Sequence, residues 1–546
     1  MEAGTRTPPS SSWGWLRIRA SAAALLLWAA ASLFGCASLP PGANYPKQAS
    51  TAYEHPQATR IAERFADAAA AHPGESAFRI LSRGADGFAL RMQLIDTAEH
   101  SLDLQYFIYH LDQTGQLITE ALLRAAERGV HLRILVDDGA TLPGDHRIRI
   151  LAAHPQIEVR VFNPFSYRGN SMSLRALDFA FHHHRLDYRM HNKLMLVDNA
   201  SALIGGRNIG DQYFQIDPQG QYADDDVFAV GPVVPQLSAT FDTYWNSALA
   251  IPVAALADGA PTASELTAYR SELASVRQKA DELNPSYLVE AASGRPLSSI
   301  MTGELPLAWA SAQVVCDAPD KQHTHKNITR STFGYDPLSQ VVGNAQSELL
   351  MITPYFIPTP AESQVLKDLR ARNVRVGFLT NSLESTTEVS AHSGYQRHRL
   401  EMLQEGVEIH EVRASPESAR GSGQSVALSR HGNYGLHAKL YTVDRAKLFI
   451  GSMNFDQRSA WLNTEVGLII DSTELAREAV ARYEAMTQLE NAYEVSLQPD
   501  AVGHTHLTWR TRVGDQIVVT RHEPSRNFWR GLQDDFLLML PIDDEL

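Results

Sequence analysis

Two short segments of this 546-residue chain carry the same kinds of side chain in the same order. His191-Asn192-Lys193 runs on through Leu194-Met195-Leu196-Val197 to Asp198, and Gly205-Gly206-Arg207-Asn208 follows. His437-Ala438-Lys439 runs on through Leu440-Tyr441-Thr442-Val443 to Asp444, and Gly451-Ser452-Met453-Asn454 follows. On a strand, positions two apart share a face, so each His and its Lys would project together. An imidazole can attack an electrophile or pass a proton, and an ammonium can hold a phosphate oxygen as a point charge. Gly205-Gly206 and Gly451-Ser452 lack bulk, so backbone can approach a ligand closely. Asn208 and Asn454 add neutral donors. Two such half-sites suit displacement at a phosphodiester. No metal or other cofactor is called for, because Lys and His provide the positive charge.

A histidine in this role needs its second ring nitrogen fixed by a carboxylate or carbonyl. Asp226, 35 positions after His191, and Glu465, 28 after His437, stand at similar offsets and are expected to orient the histidine of their own half. Asp198 and Asp444 each lie seven positions past their histidine. Seven is odd, so on an unbroken strand they face away, which suits supporting or structural roles.

The elements that must position these groups also come in duplicate. Leu102 to Tyr109 is β-like, Leu117 to Arg128 has apolar residues at helical spacing, and Val130 to Val136 is β-like again. Leu349–Ile357, Ser363–Ala371 and Val374–Leu379 repeat that order. Strand, helix, strand implies a parallel crossover. The two histidines are 246 positions apart, and Tyr106 and Tyr355 are 249 apart, a near-constant offset that signals duplication. The expected organisation is a leader at 1–35, a tether at 36–75, a first lobe at 76–250, a helical inter-lobe insertion at 251–330, a second lobe at 331–495 and a C-terminal extension at 496–546. In the extension, Leu507–Val513 and Gln516–Thr520 read as strands. The closing apolar run Phe536–Ile542 is expected to dock on a lobe.

A duplicated H-x-K-x4-D, each copy followed by Gly-Gly or Gly-Ser and Asn, resembles the phospholipase D superfamily. Arg189-Met190-His191-Asn192-Lys193, Ile204 to Asp211, Thr380-Asn381-Ser382-Leu383, Asn454 to Ser459, Leu462-Asn463-Thr464-Glu465 and the tail Leu540-Pro541-Ile542 are similar to bacterial cardiolipin synthases of the C type. The fold this implies is α/β, with two similar lobes, each a mixed sheet flanked by helices, and an active site at their pseudo-twofold interface. The activity it implies is a two-step displacement through a phosphohistidine. His191 would be the nucleophile, His437 the acid, and Lys193, Lys439, Asn208 and Asn454 the stabilisers of phosphoryl charge. Transfer to phosphatidylglycerol from a phosphatidyl donor, phosphatidylethanolamine among them, would make cardiolipin, and transfer to water would make phosphatidic acid.

Composition bears on the partners. Lys and Arg number 48 against 62 Asp and Glu, a formal charge of −14. That balance argues against phosphate-neutralising nucleic-acid binding, so membrane phospholipids are the expected partners, and no protein partner can be named. Arg17 and Arg19 precede an apolar run, Ala20–Gly35, too short for a comfortable span. With Leu33-Phe34-Gly35-Cys36 it resembles a bacterial lipoprotein signal, which implies lipidation of Cys36 and a membrane-anchored location on the periplasmic side of the envelope. Cys316, the one other cysteine, reads as a small buried residue. His182-His183-His184 lacks metal-ligand spacing and reads as an exposed loop.

Overall fold

The computed structural model describes residues 39–140, 145–169, 171–215, 220–256, 260–283, 296–321, 335–415, 434–499 and 503–538. The leader, Cys36 and the tail Leu540-Pro541-Ile542 lie outside the described residues. Among the described residues no helix is long and apolar enough to cross a membrane.

The first half supplies β1 (Ser76–Leu81), β2 (Ser101–Tyr106), β3 (His131–Asp137), β4 (Ile157–Phe162), β5 (Lys193–Val197), β6 (Ser201–Gly205), a short β7 (Gln221–Ala223), β8 (Asp226–Val230) and β9 (Ala250–Pro252). The connecting stretch supplies β10 (Ala308–Ala310) and β11 (Ala312–Cys316). The second half supplies β12 (Glu348–Ile352), β13 (Arg375–Asn381), β14 (Glu408–Val412), β15 (Tyr434–Leu436), β16 (Leu440–Val443), β17 (Lys447–Gly451) and β18 (Val466–Ile470). The extension adds β19 (Ala492–Pro499), β20 (Thr505–Val513) and β21 (Gln516–Thr520). One sheet runs β10-β1-β8-β6-β5-β2-β3-β4-β9 and the other β11-β18-β17-β16-β12-β13-β14-β19-β20-β21. Laid side by side from β1 and from β11, the two orders are the same plan used twice. In each, β2–β3–β4 or β12–β13–β14 are parallel and the other neighbours antiparallel, so both sheets are mixed.

The crossover helices form for local reasons. Asp112 caps Gln113–Glu127 by accepting from the Gly115 N–H, and Leu117, Ile118, Ala121, Leu122 and Ala125 bury one face against the sheet. Thr359 and Glu362 form a reciprocal capping box on Pro360–Ala371, with Pro at the first turn. A central core draws on both sheets and on helices Val233–Asn246 and Thr473–Met486, so the lobes share apolar interior and not merely a polar seam.

Three features differ from the sequence expectation. The 251–330 stretch is not only a helical insertion: β10 edges the first sheet and β11 begins the second. A three-residue strand and the non-alternating Ala312-Gln313-Val314-Val315-Cys316 carry too little pattern to stand out. The 36–75 stretch is more than a tether. Arg133 and Asn246 donate to the Ser50 carbonyl, and helix Arg60–Ala71 buries Ile61 and Phe65 in the first core. His183 and His184 lie in a one-turn helix, His183–Leu186, and not in a loop. The extension continues the second sheet, and its helix Phe528–Leu538 packs on helix Val389–Gln404, where Gln396 donates to Asp534.

Asp198 and Asp444 sit at the far end of the sheets from the histidines. Each opens a tight turn with two successive residues in the left-handed region: Asp198 and Asn199 at φ 54° and 52°, Asp444 and Arg445 at 54° and 52°. Asp and Asn tolerate that conformation better than most residues. The Asp198 carboxylate accepts from the N–H groups of Glu99, His100 and Ser101 at 2.9, 2.7 and 2.7 Å. Asp444 accepts likewise from Gln346, Ser347 and Glu348. These carboxylates lock the start of β2 and β12 to the β5–β6 and β16–β17 turns. Asp198→Ala would strand three donors, that of Ser101 buried, and is expected to cost about 1–3 kcal/mol. A denaturant titration of the two proteins measures it, and an unchanged midpoint would refute the locking role.

Candidate active site

Both histidines lie just before their strands, on extended segments that the opposite lobe holds. The His191 N–H donates to the Thr464 carbonyl at 2.9 Å, and the Thr464 N–H donates to the Arg189 carbonyl at 2.9 Å. On the other side β15 pairs in parallel with β7, and the His437 N–H donates to the Ala223 carbonyl at 2.8 Å. Asp137, at the end of β3, accepts from the Met190 N–H and pairs with Arg189, fixing the approach to His191.

The carboxylates follow the same exchange. His191 Nδ1 lies 2.9 and 3.0 Å from the two oxygens of Glu465, and His437 Nδ1 lies 2.6 Å from Asp224 Oδ2. Each imidazole therefore takes its acid from the other half. Nε2 is left for chemistry at a cavity of about 470 Å³ that both rings line, together with Asn208, Asn454, Tyr213, Tyr222 and Tyr355.

The expectation that Asp226 orients His191 is corrected. Asp226 is buried between Arg91 Nη1 at 2.9 Å and Arg207 Nη1 at 3.2 Å. Strand register gives the reason. Gly205 pairs with Asp226 and Gly451 with Gly467, so the counterpart of Glu465 is Asp224, two residues before the paired position. Counting forward from each histidine conceals this, because the link from Gly206 to Asp224 is longer than that from Ser452 to Glu465. Glu465 is an orienting acid, but for His191 and not for His437. Asp225 turns a third way, to Ser82 and Arg482.

Lys193 and Lys439 are almost wholly buried behind the histidines, and each Nζ donates to the carbonyl of its own histidine. Lys439 Nζ also lies 3.2 Å from His437 Nδ1. Asn208 Oδ1 accepts from the Ile108 N–H, while its buried Nδ2, beside Tyr213, has no hydrogen-bond partner. A donor left unsatisfied at a cavity wall is costly unless a ligand acceptor meets it. Ser452 and Ser459 donate to Glu465, a role for Ser452 beyond its small size. Tyr441 donates to the Met453 carbonyl and packs in the second core. Cys316 is half-buried at the end of β11, with its thiol pushed up to about 12 by burial and then by Asp317.

Burial, then Lys193 and Lys439, holds the His191 imidazole well below its ordinary range. Burial and Lys439 bring His437 down to about 3, against the pull of Asp224. Burial pushes Glu465 up to about 7. Burial also works to raise Asp224, but His437, Lys439 and Arg207 together outweigh it and hold that carboxyl at about 2. The lysines are pushed down too, Lys439 to about 8, chiefly by burial. Such a cluster gains from an entering anion, which would favour the protonated imidazoles.

Two predictions follow from the acids. Asp224→Asn is expected to cut turnover about 10²- to 10⁴-fold, whereas Asp226→Asn should chiefly lower the melting temperature; kinetics and melts of both variants decide it. Glu465, unfolded, ionises near 4.5 and, folded, near 7. Between those values the folded state binds more protons, so this carboxyl's contribution to stability falls as pH rises. Glu465→Gln should therefore improve in melting temperature relative to wild type on going from pH 5 to pH 8. A constant difference would contradict the raised pKa.

The family described as "Cardiolipin synthase, PLD-like domain" matches residues 92–245 and 338–487, more than half of the chain. Cardiolipin synthase C of Escherichia coli is 34% identical over 89% of this chain and 99% of that protein. An uncharacterized protein of Helicobacter pylori is 30% identical over 88% of each. A cardiolipin synthase of Halalkalibacterium halodurans is 25% identical over 74% of this chain and 65% of its own length. The matched spans contain both histidine half-sites and the acids that cross between them, and on that extent the chain belongs to the phospholipase D superfamily of enzymes, in its cardiolipin synthase-type family.

Proposed function

We propose that the protein is a phosphatidyltransferase that makes cardiolipin from phosphatidylglycerol and a phosphatidyl donor, phosphatidylethanolamine, through a phosphohistidine. The observation that carries this reading is the single cavity lined by two imidazoles, each oriented by the opposite lobe's acid. Similarity along nearly the whole of E. coli cardiolipin synthase C supports the choice of lipid.

In the first step His191 Nε2 attacks phosphorus, the bond from phosphorus to the headgroup oxygen breaks, and His437 gives that oxygen a proton. In the second, His437 takes the proton of a phosphatidylglycerol hydroxyl, its oxygen attacks phosphorus, and the phosphorus–nitrogen bond breaks to free His191. The electrostatics favour this division of labour. His191, with a carboxyl near 7 beside it, is kept neutral and nucleophilic. The firmly ionised Asp224 is the better partner for an imidazolium at His437. Asn208 Nδ2 and Asn454 would meet the phosphoryl oxygens, with the two lysines setting the potential behind them. The same reading places the enzyme at the bacterial envelope membrane, peripheral and lipid-anchored through Cys36. Labelled palmitate should enter the wild type and not Cys36→Ala.

Lipid analysis in mixed vesicles of phosphatidylglycerol and phosphatidylethanolamine tests the activity. Wild type should yield cardiolipin, and His191→Ala and His437→Ala less than about one-thousandth as much. Phosphatidic acid without cardiolipin would make the enzyme a hydrolase. A phosphatidyl donor with a nitrophenol leaving group needs no acid. His437→Ala should still release one equivalent of nitrophenol from it and stall, and His191→Ala should release none. The opposite pattern would exchange the two roles.

A further inference from the structure

Among the described residues, two carboxylates line the cavity, Asp456 and Glu388. Asp456 is occupied, accepting from the Ser459 N–H at 2.6 Å and capping helix Gln457–Trp461. Glu388 is not. It stands at the N-cap position of helix Val389–Gln404, where a carboxylate ordinarily accepts from the helix N–H groups, yet its side chain makes no capping bond. Among the described residues it forms no ion pair within 4 Å. Arg458 and Arg530 exert attraction at a distance, but Arg458 donates to Asp187, and Arg530 to the carbonyls of Leu383 and Thr386.

Glu388 is exposed at the rim of a cavity whose other charges suit a phosphate, so its carboxylate is placed to meet a different part of the ligand. The aromatic neighbours indicate which part. Glu388 lies close enough to Tyr222 and Tyr355 that, after burial, its charge helps to hold both phenols protonated. Tyr222 in turn lies 5.5 Å from the His437 ring, centroid to centroid, and Tyr213 lies 5.1 Å from it. Beside His191 the aromatic neighbour is Phe107, at 5.1 Å, whereas Glu388 is linked to the His437 side through Tyr222. Tyrosine faces attract cations, and a carboxylate among them completes a site for an ammonium group.

We infer that Glu388, with Tyr222 and Tyr355, forms a subsite for a primary ammonium two carbons from the oxygen that His437 protonates, the headgroup of an ethanolamine phospholipid. The assignment rests on the reading of His437 as the acid on the leaving group, since that oxygen and the ammonium must lie on one side of phosphorus. Glu388 is exposed at the cavity rim, yet partial desolvation by the surrounding walls raises its carboxyl, and a bound cation would offset that. The glycerol headgroup of the acceptor offers hydroxyls at the same place, which a carboxylate can accept from but holds less strongly than an ammonium.

Binding separates the subsite from turnover. The full chain carrying His191→Ala, which cannot form the intermediate, is titrated calorimetrically with short-chain phosphatidylethanolamine and with short-chain phosphatidylglycerol. Adding Glu388→Gln should lower the preference for the ethanolamine lipid about tenfold, and Glu388→Asp should retain part of it. Equal losses for both lipids, no change for either, or no binding of the ethanolamine lipid by the His191→Ala parent would overturn the assignment. Cardiolipin synthesis by wild type is scored separately. Absence of product with the lipid preference intact would remove the transferase reading and leave the subsite standing.

Discussion

Glu465 reaches across the lobe boundary to His191, and Asp224 reaches back to His437. Everything else about the site depends on that exchange. A buried imidazole–carboxylate pair loses several kilocalories if either partner is removed, on the order of 3–5 kcal/mol, so the lobes cannot drift apart without exposing or orphaning both pairs. The backbone ties from Arg189 and His191 to Thr464, and from Ala223 to His437, run beside the pairs and set their geometry. The shared apolar core beneath holds the two sheets in the one arrangement where both exchanges close at once.

The halves repeat a plan without repeating its chemistry. Ser452 places a hydroxyl on Glu465. The matching position in the first half is Gly206, where an added Cβ would lie 2.0 Å from Asp224 Oδ1. A glutamate with serine contacts and a shorter aspartate packed on bare backbone fill the same role differently. One carboxyl ends near 7 and the other near 2. Two histidines with identical local sequence frames thus meet unlike environments, the condition for dividing acid and nucleophile roles between them.

Much of this was legible in the chain itself. The paired His-x-Lys segments, the crossover helices and the strands of the extension could be read because each signal is local: a period of two or a period of 3.6. Parity along a strand turned Asp198 and Asp444 away from the histidines, and the structure places both in turns past the strand ends. Which acid serves which histidine could not be read, because that is a contact over 274 positions for His191 and Glu465 and 213 for His437 and Asp224. Spacing within one half pointed to Asp226, whose place is set by Arg91 and Arg207. Only β-register, counted back from the glycines, makes Asp224 equivalent to Glu465. β10 and β11 are not legible in the sequence because three residues are too few to show a period and Ala312-Gln313-Val314-Val315-Cys316 does not alternate.

The crossing of acids has a consequence for how such a molecule can be built. A lobe by itself holds a histidine without its acid and an acid without its histidine, so it is inert until it meets a mate. Two identical copies could complete each other, but their two histidines would then be equivalent by symmetry. Joining the lobes in one chain raises the local supply of each for the other to roughly the millimolar range. It also frees each to change alone. Covalent linkage is what lets a duplicated pocket become handed, with a front and a back for its substrate.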